Sequence, residues 1–295
     1  MNTRLIAATA LVAALLSSPV MAADWATVGK ALGKTGTVSG NVYRVGLPRT
    51  DLQVTLDGVA IKPTLALGSW VAFDDMGSES MVMGDLVLTH TEVNPVMTSL
   101  IEQGFEITAL HNHLLRSNPG TMYMHIGGHG DPVKLATAIH AALAKSGTPF
   151  TAAPAPATPP PPLEMDVAGV EQTLGGFKGT PNGGVLQFNI PRAETPKAGG
   201  MSVPTAMGSA IAINFQPTGG GKAAITGDFV LTGNEVNPVI KALRANGIEV
   251  TALHNHMLDD EPRLFFMHFW ANADAKALAK GLRAALDKVK VGKPS

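Results

Sequence analysis

Residues 84–115 read GDLVLTHTEVNPVMTSLIEQGFEITALHNHLL, and residues 227–258 read GDFVLTGNEVNPVIKALRANGIEVTALHNHML. Gly84/Gly227, Glu92/Glu235 and His113/His256 keep the offset that separates His111 from His254, without a gap. Each copy is followed by a proline and a second motif, MYMH at 122–125 and FFMH at 265–268, so His125 and His268 keep the offset too. A repeat of this length fixes the architecture as two copies of one unit. Two copies in one chain drift independently. What both retain, ExNP, ALHNH and the later MH, is therefore the candidate chemistry.

The local patterns outline each copy. Met81 to Thr89 alternates as a strand does, and Asn94-Pro95 reads as an N-cap and first helical position for a helix that stops at Gly104. Phe105 to His113 and Thr121 to Gly127 read as strands, and Asp131-Pro132 caps a helix to about Lys145, matched by one from Asp274. Upstream, Asp24 and Asp166 cap short helices closed by Gly33 and Gly175, and strands are expected over 41–47 and 184–190. Each of those strands runs into a Pro-Arg pair followed by an acid, Arg49 with Asp51 and Arg192 with Glu194, the pattern of a turn with a local ion pair. Strands are also expected over 65–73 and 206–215. The fold class is thus α+β: two tandem homologous domains, each a mainly antiparallel sheet with a β-α-β-β-α, ferredoxin-like core. The expected boundaries are 1–22 for a signal peptide, 23–147 for the first repeat, 148–163 for a Pro/Ala-rich linker and 164–295 for the second repeat. The linker composition favours an extended polyproline II spacer at about 3 Å per residue, long enough for the copies to pack together or stand apart.

Composition narrows the chemistry. The chain has 295 residues, 45% of them hydrophobic, enough to bury a core in each of two domains. A net charge of −1 with no basic run argues against nucleic acid as a partner. There is no cysteine, which removes thiolate nucleophiles, disulfides, iron–sulfur clusters and cysteine zinc sites, and also a lipid anchor. The N-terminus carries Arg4, an apolar run too short to span a membrane, and a small-residue site ending at Ala22, the pattern of a cleaved signal peptide. The expected location is periplasmic, with no membrane span.

A β-α-β crossover makes its two strands parallel, so Glu92 and Asn94 are expected at the same sheet edge as His111 and His113. A hairpin then returns His125 to that edge. Strict alternation puts His111 and His113 on the face of Phe105, Ile107 and Ala109. A metal set of Glu92, His111, His113 and His125 is expected, with Glu235, His254, His256 and His268 in the second copy. Imidazole and carboxylate suit zinc first, with copper or iron as alternatives. Asn94, Asn112, Asn237 and Asn255 are the candidates for ligand contacts. Against this stands the plain reading that a histidine on an apolar strand face is a satisfied core residue. His90, His129 and His140 have no histidine counterpart and read as surface positions, or else as a specialisation of the first copy. Met124 and Met267 adjoin a histidine and so read as core.

The segments VYRVGLPRTDL, ALGSWVAF, MGDLVL, EVNPVM, ITALHNHLL and MYMHIGGHGDPVKLA closely resemble the bacterial domain named after the mycobacterial lipoproteins LppY and LpqO. The resemblance spans both repeats and implies an exported setting. The family is one of unknown function, so it implies no activity. Three readings therefore follow from the residues alone: a metal-binding module, a metal-dependent hydrolase with Glu92 or Glu235 as general base, and a metal-free module for a small polar or cell-envelope ligand.

Overall fold

The computed structural model describes residues 23–77, 79–151 and 161–294. The signal peptide expected over 1–22 and the middle of the linker lie outside the described residues.

Each repeat forms one six-stranded sheet backed by helices. In the first, β1 (Thr37–Ser39), β2 (Val42–Pro48), β3 (Gly68–Asp75), β4 (Ser80–Thr89), β5 (Glu106–His111) and β6 (Thr121–Gly130) lie in the order β1-β2-β3-β4-β6-β5. In the second, β7 (Thr180–Asn182), β8 (Val185–Ile190), β9 (Ile211–Gly219), β10 (Lys222–Thr232), β11 (Glu249–His254) and β12 (Leu264–Asp274) mirror it as β11-β12-β10-β9-β8-β7. All neighbours are antiparallel. The last strand of each repeat therefore sits between the two strands that flank the crossover helix, so β4 and β5 are not paired.

The longer helices of the first copy are α1 (Trp25–Leu32), α2 (His90–Glu102) and α3 (Pro132–Leu143); those of the second are α4 (Val167–Thr173), α5 (Gly233–Ala245) and α6 (Ala275–Leu286). Asp24, Asp131, Asp166 and Asp274 cap their helices as expected, each carboxylate accepting backbone N–H groups. The crossover helices differ from expectation. They begin at His90 and Gly233 after the N-caps Thr89 and Thr232, each closed by a capping box with Glu92 or Glu235. Asn94 and Asn237 are consequently exposed positions inside a helix, with Pro95 and Pro238 beside them.

One face of the first sheet presents Val45, Phe73, Leu86, Leu88, Met124 and Ile126 to α2 and α3. Met124 and Met267 are fully buried in their respective cores. The opposite faces of the two sheets look toward each other, giving the layers helix, sheet, sheet, helix. Short arms hold this contact. Residues 63–66 of the first copy lie on the second sheet, where Thr226 Oγ1 and Asn214 Nδ2 both donate to the Leu65 carbonyl, at 2.8 and 3.2 Å. Residues 205–207 return the contact, as Arg44 Nη1 donates to the Ala206 carbonyl at 2.6 Å. The copies form one pseudo-symmetric pair.

Candidate metal centre at the interface

His111 and His254 reach the inner faces, where His125 and His268 already stand, because each edge strand is bulged. The register slips between Ile107 and Ala109, and again between Val250 and Ala252. The extra residue, Thr108 or Thr251, interrupts the alternation. Ile107 stays with the helix-side core, while Ala109 and His111 turn to the inner face. Strict alternation had placed Ile107 and His111 on one face, and the bulge separates them. In the resulting register His111 stands opposite Tyr123, whereas His125 stands opposite Ala109 on one side and Asp85 on the other. The second copy repeats this with His254 opposite Phe266 and His268 between Ala252 and Asp228.

The bulges also lock the copies together. Thr108 Oγ1 donates to the His256 carbonyl and Thr251 Oγ1 to the His113 carbonyl, both at 2.6 Å. Asn112 Nδ2 donates to the Thr251 carbonyl at 3.2 Å, and Asn255 Nδ2 to the Thr108 carbonyl at 2.8 Å. The asparagine of each HNH triplet is thus engaged in joining the repeats, with its flanking histidines turned into the interface. Asn94 and Asn237, the other expected ligand contacts, belong to the exposed side of α2 and α5.

Six imidazoles meet there in three cross-copy stacks. His111 lies on His254 with ring centroids 3.4 Å apart, His113 on His268 at 3.6 Å, and His125 on His256 at 3.8 Å. Tyr123 covers His113 and Phe266 covers His256, at 3.3 and 3.4 Å. Two carboxylates join the group: Asp228 Oδ2 is 3.2 Å from His256 Nε2, and Asp85 lies 3.8 and 3.9 Å from the Nε2 atoms of His113 and His125. Among the described residues, possible ligand atoms lie within 4.8 Å of one another in four sets. Two stay within a copy, Asp228 with His254, His256 and His268, and Asp85 with His113 and His125; two are mixed, His111 with His125 and His254, and His111 with His113 and His268.

The electrostatics of this group are distinctive. His111, His254 and His268 place Nδ1 against the carbonyls of Asn112, Asn255 and Gly227, at 3.1, 3.0 and 2.8 Å, so Nδ1 carries the proton and Nε2 offers a lone pair. Burial pushes His111 and His254 down to about 4 and His268 to about 3. Burial, followed by repulsion from neighbouring imidazoles, holds His113, His125 and His256 well below the usual imidazole range. Burial raises Asp85 and Asp228, and Asp228 repels Asp85 besides. All six Nε2 atoms, together with Oδ1 of Asp85 and of Asp228, are buried without a hydrogen-bond partner within the protein. Each such orphan costs on the order of 1–3 kcal/mol. Eight in one place is a large penalty for a structural core, and it weighs against reading these rings as satisfied core histidines.

The glutamates go elsewhere. Glu92 accepts from Arg49 Nη1 at 2.7 Å, Thr89 N at 2.8 Å and Gly147 N at 2.7 Å. Glu235 does the same with Arg192, Thr232 N and Lys290 N. Their lone pairs are committed to a fully buried arginine and to a helix start, so neither joins the histidines as ligand or base. The Arg49–Asp51 ion pair forms at 2.8 Å, but the same guanidinium also anchors Glu92. The acids of the centre, Asp85 and Asp228, were missed in the sequence although both copies keep a Gly-Asp pair at the head of the repeat. That glycine has a packing reason in the second copy: a Cβ at Gly227 would meet the Ala212 carbonyl and the Phe269 ring. Of the unmatched histidines, His90 and His129 are exposed, while His140 is half-buried, with Nδ1 2.8 Å from the Leu32 carbonyl.

A cavity of about 540 Å³ between the sheets opens onto Asp85, His113, Asp228, His256 and His268. Its lining is unequal across the pseudo-symmetry. Arg44 and Trp70 stand on the first copy's side, where the corresponding strand positions of the second hold Gln187 and Ala212.

Among solved structures, the chain is similar to the trimeric bacterial microcompartment shell protein PduB (14% identity, 88% of this chain and 96% of that one, TM-score 0.22). It is also similar to EtuB from Clostridium kluyveri (10% identity, 88% and 97%, TM-score 0.21). No curated protein matches it. The family described as Domain of Unknown Function (DUF1259) matches residues 26–145 and again 168–288, so the chain belongs to that family and carries its domain twice.

Proposed function

We propose that this protein binds transition-metal ions, zinc first with copper or iron as alternatives, in a centre made jointly by its two repeats. The supporting observation is the convergence of six imidazole Nε2 atoms and two carboxylates, buried and without partners within the protein. Neutral imidazole and carboxylate, with no thiolate present, form a donor set suited to zinc. Backbone carbonyls holding Nδ1 fix the tautomer of three rings, the usual second tier of support for a metal-ligating histidine. The sets Asp85-His113-His125 and Asp228-His254-His256-His268 suggest one ion on each side of the stacked His111 and His254.

The cavity beside the centre favours access by a small molecule, which supports a metal-dependent hydrolase as the second reading. Bound metal would supply Lewis acidity and an activated water. Asp85 and Asp228 replace Glu92 and Glu235 as the acids within reach. The exported, periplasmic setting, the LppY/LpqO-like relationship and a ferredoxin-like core belong to the same proposal. The β4-α2-β5-β6 order, with β6 antiparallel to both and lying between β4 and β5, supports the last of these.

Elemental analysis of the untagged mature protein tests the metal. Near-stoichiometric zinc, copper or iron that vanishes in His111→Ala/His254→Ala is expected. No metal after dialysis against zinc and copper contradicts the reading.

A further inference from the structure

We infer that the cavity between the sheets binds a small organic anion whose carboxylate or phosphate group is held by Arg44. The inference deepens the metal-centre reading and rests on it for the far end of the cavity, where the ligand would face the ions.

Arg44 is the feature the metal centre leaves unexplained. Its Nη1 donates to the Ala206 carbonyl, and its guanidinium lies over the Trp70 ring, 3.8 Å from the centroid. Among the described residues it forms no salt bridge, whereas the well-buried Arg49 and Arg192 each hold two carboxylates. Burial lowers it to about 10, so it remains a cation at neutral pH. The acid that acts on it, Asp85, belongs to the metal group.

The second copy shows what the position needs structurally. Gln187 occupies the matching place on β8, and its Nε2 donates to the Thr64 carbonyl of the opposite arm at 2.7 Å, the bond Arg44 makes to Ala206. One neutral amide suffices to hold an arm. Arginine retains further donors, in a planar fork that matches a carboxylate or phosphate. Trp70 stacks on the guanidinium and limits its rotation. With two divalent ions facing Asp85 and Asp228, the charge left over is positive, and Arg44 adds to it. Asn189, Asn214 and Thr226 provide polar walls, and about 540 Å³ is the scale of a small-molecule site.

The test titrates malonate and orthophosphate, separately, into metal-analysed wild-type protein, Arg44→Gln and Arg44→Lys by calorimetry. Arg44→Gln copies the second repeat and keeps a donor for Ala206. At least one anion should bind one per chain, at least tenfold more weakly in Arg44→Gln, with Arg44→Lys between. Malonate alone, or phosphate alone, identifies the head group. Failure of both to bind below 10 mM, or equal binding by Arg44→Gln, overturns the inference while measured metal in the same samples leaves the metal reading standing. Arg44-dependent binding to protein that takes up no metal after dialysis against zinc and copper keeps the anion site and defeats the metal reading instead.

Discussion

His111 and His254, the same residue of the two repeats, stack on each other across the interface with centroids 3.4 Å apart. Neither repeat alone can assemble this group, because two of the four ligand sets take members from both. Site and interface are therefore one structure, and changes to either should be felt in the other.

Metal should stabilise the fold only through these rings. A ligand at a hundred times its Kd adds about 2.7 kcal/mol of stability. Zinc should raise the wild-type melting temperature by several degrees and leave His111→Ala/His254→Ala unmoved. An equal rise in both proteins would place binding elsewhere.

The two acids should separate cleanly. Asp85→Asn removes a candidate ligand charge and should lower metal content with modest change in apo-protein stability. Glu92→Gln breaks a contact to the buried Arg49 and should cost up to about 3 kcal/mol, since Asp51 still partners the guanidinium. Metal per folded chain should not change in Glu92→Gln. Loss of metal in that variant, measured on folded protein, would restore the glutamate as a ligand.

Apo-protein stability should fall on acidification. A histidine held down to about 4 in the fold, against 6.5 unfolded, takes up its proton more readily when unfolded. Its contribution is intact above 6.5 and is lost as the pH falls toward 4, at about 1.4 kcal/mol per pH unit per histidine. Asp85 and Asp228, raised by burial, act in the opposite sense: they favour the fold at low pH and lose that contribution as they ionise. Six histidines outweigh two aspartates. Urea midpoints from pH 7 to 4.5 on chelated protein should drop steadily, and a flat profile would contradict the neutral, buried rings.

The bulge threonines should tie interface to site. Thr108→Val/Thr251→Val deletes two short hydrogen bonds to the carbonyls of His256 and His113, for about 1 kcal/mol each. The variant should also bind zinc more weakly although no ligand has changed. Unaltered zinc affinity would mean that the threonines serve the interface alone.

Much of this was legible in the chain. The repeat announced two α+β units, the Asp and Gly punctuation located the short helices, and the matched histidines announced the centre. The bulge did not show, because Ile107-Thr108-Ala109 reads as unbroken alternation and only pairing with β6 displaces it. The acids were misassigned for a related reason. Glu92 follows a strand end, where a ligand is plausible, but Thr89 three residues earlier makes it half of a capping box. Asp85 lies within the apolar run of β4, and its inward direction is fixed by its pairing with His125. The cross-copy stacks were beyond sequence reading, since the Pro/Ala linker permitted the repeats to pack or to separate.

Anomalous X-ray diffraction at the zinc edge, from crystals of the zinc-loaded protein, tests the central claim most directly. The account predicts peaks between the two sheets, with Nε2 atoms and an aspartate from the set Asp85, Asp228, His111, His113, His125, His254, His256 and His268 as ligands. Peaks confined to other residues, or none between the sheets, would contradict it.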